Sequence, residues 1–409
     1  MLKRWLAGLL AALFLLLPIA ALAQSAPLES GLPFETDAAS VLLMDARTGT
    51  VILEHNADEH RPVASITKLM TMLLVLEALD EGRISLEDQV TVSGEAAGMG
   101  GSQALLDAGG VYPLSELLKS LIVASANDSA VALAELLGGS EDNFASMMNQ
   151  RAGQLGLADT HYVNASGLPA EGQYTTARDV AALSREVLRH PTYFNYSRIW
   201  MDEIRHKNDR VTQLVNTNRL IRFYDGADGV KTGSTSEAKF CISATAQRGG
   251  ERFIAVVLGA STSAKRFETA QKLLTYAFDH YSTNTLLAAG QTAQEGIPVK
   301  GSRRKTASVA AQSDLSVLCK KGEEGSAELM LSLPEMLRAP LAKGEVVGEA
   351  VAVKNGEEVA RVPLVLEQDL TQNSIWGSIR DVLEGWMKPG QANRAEKKQL
   401  GKNKFTIRV

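Results

Sequence analysis

Cysteine is scarce: the 409 residues hold only Cys241 and Cys319. Neither has the spacing of a metal or redox motif. They fall in different domains as divided below, so two buried, unpaired thiols are expected rather than a disulfide. Histidine is scarce as well. His55, His60, His161, His190, His206 and His280 form no His-x-x-x-His or Glu-containing metal pattern, so no metal is expected. There is no dinucleotide fingerprint and no phosphate loop, and hence no cofactor is expected. Basic residues are not in excess: 42 Lys and Arg stand against 47 Asp and Glu, a net charge of −5. Nucleic-acid binding, which favours strongly basic domains, is not expected. Internal repeats and long low-complexity segments are absent. What remains is an ordinary globular balance, 45% hydrophobic and 22% charged, in a chain long enough for two domains and tails.

The ends carry the targeting signals. Lys3 and Arg4 precede an apolar run to about residue 20, and Ala21-Leu22-Ala23 is a small-x-small cleavage site. Residues 1–23 read as a secretory signal peptide. Its removal takes Lys3 and Arg4 away and leaves a net charge of −7. Near the other end, Ile375, Trp376, Ile379, Val382, Leu383, Trp386 and Met387 fall on one helical stripe within 371–388. Two tryptophans on such a stripe suit a membrane interface. The tail 389–409 adds Arg394, Lys397, Lys398, Lys402, Lys404 and Arg408, a charge that attracts anionic lipid.

Between these ends two textures alternate. Residues 39–45 and 51–54 read as a hairpin, and 239–245 and 252–260 as a second pair of strands. Helical patterns lie between and after them at 65–79, 114–124, 127–137, 141–155 and 263–280. An α+β domain over 24–282 follows, its sheet assembled from both ends of the region. From 283 to 370 short β-type runs replace helices, and Asn355-Gly356 marks a hairpin, so this reads as a small all-β domain.

Three motifs carry chemistry. Ser65-Ile66-Thr67-Lys68 places a hydroxyl and an amine three residues apart at a helix start, on one face. A serine is a weak nucleophile at neutral pH without a base. A lysine serves as that base if burial and a neighbouring positive charge keep it neutral. Alone, this pattern is equally an N-cap serine with an exposed lysine. Ser125-Ala126-Asn127, between two helical patterns, offers a hydroxyl for proton shuttling and an amide to hold a carbonyl; alone it is a helix-linking turn. Lys231-Thr232-Gly233 precedes a β run, and its glycine admits a ligand close to the backbone. Alone it is an edge turn. Together, in this order and at spacings of 60 and 106 residues, the three match the active-site serine enzymes that recognise penicillin.

Longer stretches narrow the resemblance. Ala64 to Thr71, Asn164-Ala165-Ser166-Gly167-Leu168-Pro169, Tyr174 to Asp179 and Asp228 to Thr235 resemble the low-molecular-mass penicillin-binding proteins, serine-type D-alanyl-D-alanine carboxypeptidases of peptidase family S11. The resemblance implies a β-lactamase/transpeptidase-like catalytic domain, an antiparallel sheet with helices, followed by the small all-β domain and the amphipathic helix. It implies that Ser65 attacks the carbonyl between two D-alanines of a peptidoglycan stem peptide and that Lys68 takes its proton. Ser125 and Lys231 would relay a proton to the leaving D-alanine. Asn127 would orient the donor peptide and Thr232 the terminal carboxylate. The N–H groups of Ser65 and Ser234, beside Gly233, would form the oxyanion hole. β-Lactams would acylate Ser65 in the same way. The implied location is the outer face of the cytoplasmic membrane. The sequence departs from many relatives at Lys239, where they carry glycine. No Glu-x-x-Leu-Asn string, the deacylating signature of a class A β-lactamase, is present. The same residues would serve a D,D-endopeptidase acting on cross-links. A non-catalytic module that senses β-lactams or binds the wall is the alternative from another class.

Overall fold

A computed structural model describes residues 27–29, 31–373 and 404–407. The signal peptide at 1–23 lies outside the described residues. So do the amphipathic helix beyond residue 373 and the tail apart from 404–407. The chain divides into two units, with the division at Asp279 and His280.

The first unit is built on a five-stranded antiparallel sheet. Strands β1 (Ser40–Asp45) and β2 (Val51–His55) come from its beginning. Strands β3 (Ala227–Thr235), β4 (Lys239–Arg248) and β5 (Glu251–Ala260) come from its end. The spatial order is β2-β1-β5-β4-β3, so β1 and β5 join the two halves, Leu42 opposite Val256. The run Phe253 to Leu258 is apolar without alternation and fully buried, as a strand covered on both faces requires. The site-bearing β3 is the edge.

The expected helix at 65–79 is two elements. Ala64–Thr67 is a 3-10 turn, and the α-helix proper, α1, spans Lys68–Asp80. Ten of its thirteen residues are buried, including Lys68 and Thr71, so it runs through the core instead of lying on it. Helices α2 (Leu114–Val123), α3 (Asn127–Gly138), α4 (Glu141–Gln154), α5 (Ala177–Val187) and α6 (Ser263–His280) complete the frame. Thr176 caps α5 by accepting from the Asp179 N–H. Arg178 pairs with Glu54 and Asp58. A hairpin of Met201–Arg205 with Val211–Val215, not expected from the sequence, leads to Thr217.

The second unit is all β. A seven-stranded sheet includes Ala327–Ser332, Val346–Lys354 and Glu357–Leu366, and Tyr281–Leu287 pairs with Leu315–Lys320. Asn355 and Gly356 both have positive φ, the backbone that a two-residue hairpin turn demands. Lys404–Ile407, read from sequence as basic tail, pairs antiparallel with Ala327–Ser332. Cys241 and Cys319 are both buried and free.

Lys239 follows the tight turn after β3 with φ +54. A left-handed conformation costs a residue with a side chain about 1–2 kcal/mol, a cost that glycine does not carry. Part of that strain is offset by the greater chain entropy of an unfolded glycine. Lys239→Gly should therefore stabilise by about 1 kcal/mol and raise Tm by about 2–4 °C. A fall in Tm in thermal unfolding would show that the turn is not strained.

Candidate active site

Three close approaches shape the nucleophile turn. Ala64, just before Ser65, has φ +50. Its carbonyl rests on Gly167, where a Cβ would sit only 2.0 Å from Ala64 O. From the other side β3 passes so close that a Cβ on Gly233 would meet Val63 O at 2.5 Å and Ser65 N at 3.1 Å. The glycine of Lys231-Thr232-Gly233 is thus required by contact with the nucleophile turn itself. The half-buried Ser65 is held between α1 and β3.

In the 3-10 turn residues three apart eclipse, which brings Lys68 under Ser65. Lys68 Nζ lies 2.9 Å from Ser65 Oγ. It also donates to Asn127 Oδ1 at 2.6 Å and to Ser166 O at 2.5 Å. The side chain is wholly buried. Burial pushes its amine down to about 7, with the Asp128 carboxylate acting against the shift. Asp128 is itself tied to the backbone N–H groups of Ala104 and Leu106.

Asn127 begins α3 and is fixed from three sides. Its Nδ2 donates to Gly100 O, its backbone N–H to Ser102 O, and its Oδ1 faces Lys68. The glycine-bearing segment 98–101 supplies, through Gly100 O, the carbonyl that holds this amide. Ser125 sits in the turn between α2 and α3 with φ +60. Its buried hydroxyl has no hydrogen-bond partner.

Lys231 is buried and donates to Thr232 O at 3.0 Å. Its amine is held well below the ordinary lysine range, by burial first and then by the charges of Lys68 and Arg266. Thr232 Oγ1 donates to Thr217 Oγ1 at 2.8 Å, while Thr217 N–H donates to Val123 O beside the Ser125 turn. Ser234, next on β3, is exposed at the cleft. All eight residues singled out from sequence therefore belong to one assembly of α1, the α2–α3 turn and β3.

Two contributors were not among the site residues singled out from sequence. Arg266, on α6, is buried and donates from Nη1 to Gly233 O at 3.1 Å and Cys241 O at 3.3 Å. Burial lowers its guanidinium to about 10. A lone arginine in an amphipathic helix looks like any surface cation. Ser166 acts through its carbonyl, which no side-chain pattern reveals. The histidines take structural partners, His190 with Asp80 and His206 with Tyr112.

Residues 23–262 match the family model described as Peptidase S11, D-alanyl-D-alanine carboxypeptidase. The chain belongs to that family. Residues 281–372 match the C-terminal domain of penicillin-binding protein 5. The chain is 39% identical over 353 residues to D-alanyl-D-alanine carboxypeptidase DacF of Bacillus subtilis, covering 86% of this chain and 90% of that protein. It is 34% identical to DacC of Escherichia coli, over 84% and 87% of the two chains. Among solved structures, penicillin-binding protein 5 from Haemophilus influenzae superposes with a TM-score of 0.71 at 30% identity, covering 84% of this chain and all of that one. The catalytic unit followed by an all-β unit is the architecture expected for a penicillin-binding carboxypeptidase.

The Lys68 value fixes a pH dependence. Its folded-state pKa is lowered, so the free base accumulates above about 7 and is lost below it. Acylation by a fluorescent penicillin should slow about tenfold per pH unit below that point and level off above it. A rate independent of pH between about 5 and 8 would remove Lys68 as the base.

Proposed function

We propose that the chain is a serine-type D-Ala-D-Ala carboxypeptidase that removes the terminal D-alanine from peptidoglycan pentapeptide stems through an acyl-enzyme on Ser65. The observation that carries this reading is the set of partners around Lys68 Nζ. A neutral amine has two N–H groups and one lone pair. Asn127 Oδ1 and Ser166 O are acceptors only, and they take both N–H groups. The lone pair is left directed at Ser65 Oγ, 2.9 Å away.

The steps follow from that geometry. Ser65 Oγ bonds to the penultimate D-alanine carbonyl carbon as its proton passes to Lys68. The negative charge on the carbonyl oxygen is met by the N–H groups of Ser65 and Ser234, the largest kind of stabilisation available to such a step. The unpartnered Ser125 hydroxyl and the lowered Lys231 amine support a relay that carries a proton to the departing amine as the C–N bond breaks. Asn127 Nδ2 keeps one N–H for the donor peptide. Thr232 and the Arg266 charge favour the terminal carboxylate. Water then hydrolyses the ester. A β-lactam meets the same serine and forms the same ester.

D-Alanine release from a synthetic pentapeptide, followed by mass spectrometry, should show steady turnover that disappears in Ser65→Ala. Turnover persisting in that variant would refute Ser65 as nucleophile. Running a cross-linked muropeptide beside it reports any D,D-endopeptidase activity directly.

The substrate class places the reaction outside the cytoplasm, in keeping with the signal-peptide reading of residues 1–23. Among the described residues no helix is long and apolar enough to cross a membrane. The amphipathic stripe of 371–388 supports peripheral attachment at the outer face of the cytoplasmic membrane. Because Lys404–Ile407 is a strand of the second unit, substitution is a cleaner test than truncation. Trp376→Ser with Trp386→Ser should release the enzyme from anionic lipid vesicles in co-sedimentation while leaving D-alanine release on soluble peptide intact. Undiminished sedimentation would rule out this helix as the anchor.

A further inference from the structure

The Ser166 carbonyl takes one of the two N–H groups of neutral Lys68, so whatever fixes that carbonyl also aims the lone pair. It lies in a loop, residues 164–167, between α4 and α5. A loop carbonyl is a poor orienting device unless its own peptide is pinned.

Two side chains pin it, both through the preceding residue. Glu141, the first residue of α4, accepts the Ala165 N–H on Oε1 at 2.9 Å. Thr71 Oγ1 donates to Ala165 O at 2.7 Å. Thr71 is fully buried and stands one turn along α1 from Lys68. The two side chains of one helix face therefore bond two consecutive carbonyls, 165 and 166. The loop closes on itself where Asn164 Oδ1 accepts the Gly167 N–H at 2.7 Å. Among the described residues, Glu141 is the side chain that hydrogen-bonds the loop to α4. Ser140 caps that helix by accepting the Asn143 N–H, so the Glu141 carboxyl is free of capping duty and turns to Ala165. The carboxyl is half-buried, and burial raises its pKa. An electrostatic steering role does not need such a site, whereas a hydrogen-bond acceptor does.

We propose that Glu141 is a positioning residue for acylation: it holds the 165–166 peptide so that the Ser166 carbonyl orients the Lys68 lone pair toward Ser65. The proposal rests on the Ser65–Lys68 reading above. Glu141 touches neither substrate nor the reacting atoms. Its loss lets the carbonyl swing and the amine rotate, which slows proton transfer without altering the surfaces that bind the stem peptide. Misplacement of this kind, remote from the reacting bond, costs up to about a hundredfold in rate.

The test uses the full chain with a pentapeptide substrate and measures kcat, KM and Tm. Glu141→Ala is expected to lower kcat about tenfold or more with KM unchanged within about twofold. Glu141→Gln keeps an acceptor oxygen and should stay within about threefold of wild-type kcat. A loss of stability alone does not produce both the split between kcat and KM and the rescue by glutamine. The proposal is overturned if Glu141→Ala keeps wild-type kcat, or if Glu141→Gln is as impaired as Glu141→Ala. Should Glu141→Ala not fold, Glu141→Met, of similar length with only a weak acceptor, is held to the same two outcomes. Failure of the underlying reading is separable: there the unmodified chain releases no D-alanine, or Ser65→Ala still does.

Discussion

A lysine amine taken wholly out of water has two ways to avoid an uncompensated charge: gather acceptors, or give up its proton. Lys68 does both. Burial brings its pKa to about 7, and two acceptor-only oxygens satisfy what protons remain. The rest of the first unit is arranged around maintaining that state. Helix α1 is buried without a break from Lys68 to Leu76, so Lys68 cannot turn outward to solvent. Helix α3 supplies the Asn127 acceptor, and the 164–167 loop supplies the other.

That arrangement needs backbones closer together than side chains ordinarily allow. Gly167 and Gly233 meet the turn around Ser65 from opposite sides at distances no Cβ tolerates. Ala64 and Ser125 have side chains and yet stand at positive φ beside the reacting groups. Residues in this region cost of order 1–3 kcal/mol each and persist only where the surroundings hold them. The holding groups are visible: Arg266 bonds Gly233 O and ties β3 to α6, while Thr217 joins Thr232 to the α2–α3 turn through Val123 O. The strain is local to the site and is supported by elements distant in sequence.

This division explains what was legible in the sequence. Side chains that the structure gathers around Ser65 were singled out, because Ser65, Lys68, Ser125, Asn127 and Lys231-Thr232-Gly233 are restricted residue types at fixed spacing. The sheet was read from both ends, because its strands are apolar runs bounded by turn residues. Asn355-Gly356 announced its hairpin by backbone chemistry alone. Groups that work through the backbone stayed hidden: the Ser166 carbonyl would look the same with any side chain. The hairpin Met201–Arg205 with Val211–Val215 was missed because its outward face is mixed, with Met201 and Val215 exposed beside Glu203 and Gln213. Lys404–Ile407 was missed because a count of positive charge masked the apolar and β-branched residues between lysine and arginine.

The electrostatics of the cleft also differ from what the residue list implies. Two lysines and an arginine around one cleft read as three positive charges in a chain that is acidic overall. Burial denies that count. Burial brings Lys68 down to about 7, and Lys231 is held well below the usual lysine range by burial and by its two cationic neighbours. Arg266, lowered to about 10, stays charged at pH 7. Arg266 on α6 thus brings a standing positive charge up to the Gly233 carbonyl. The arginine that no motif marks is therefore part of the electrostatics of the site.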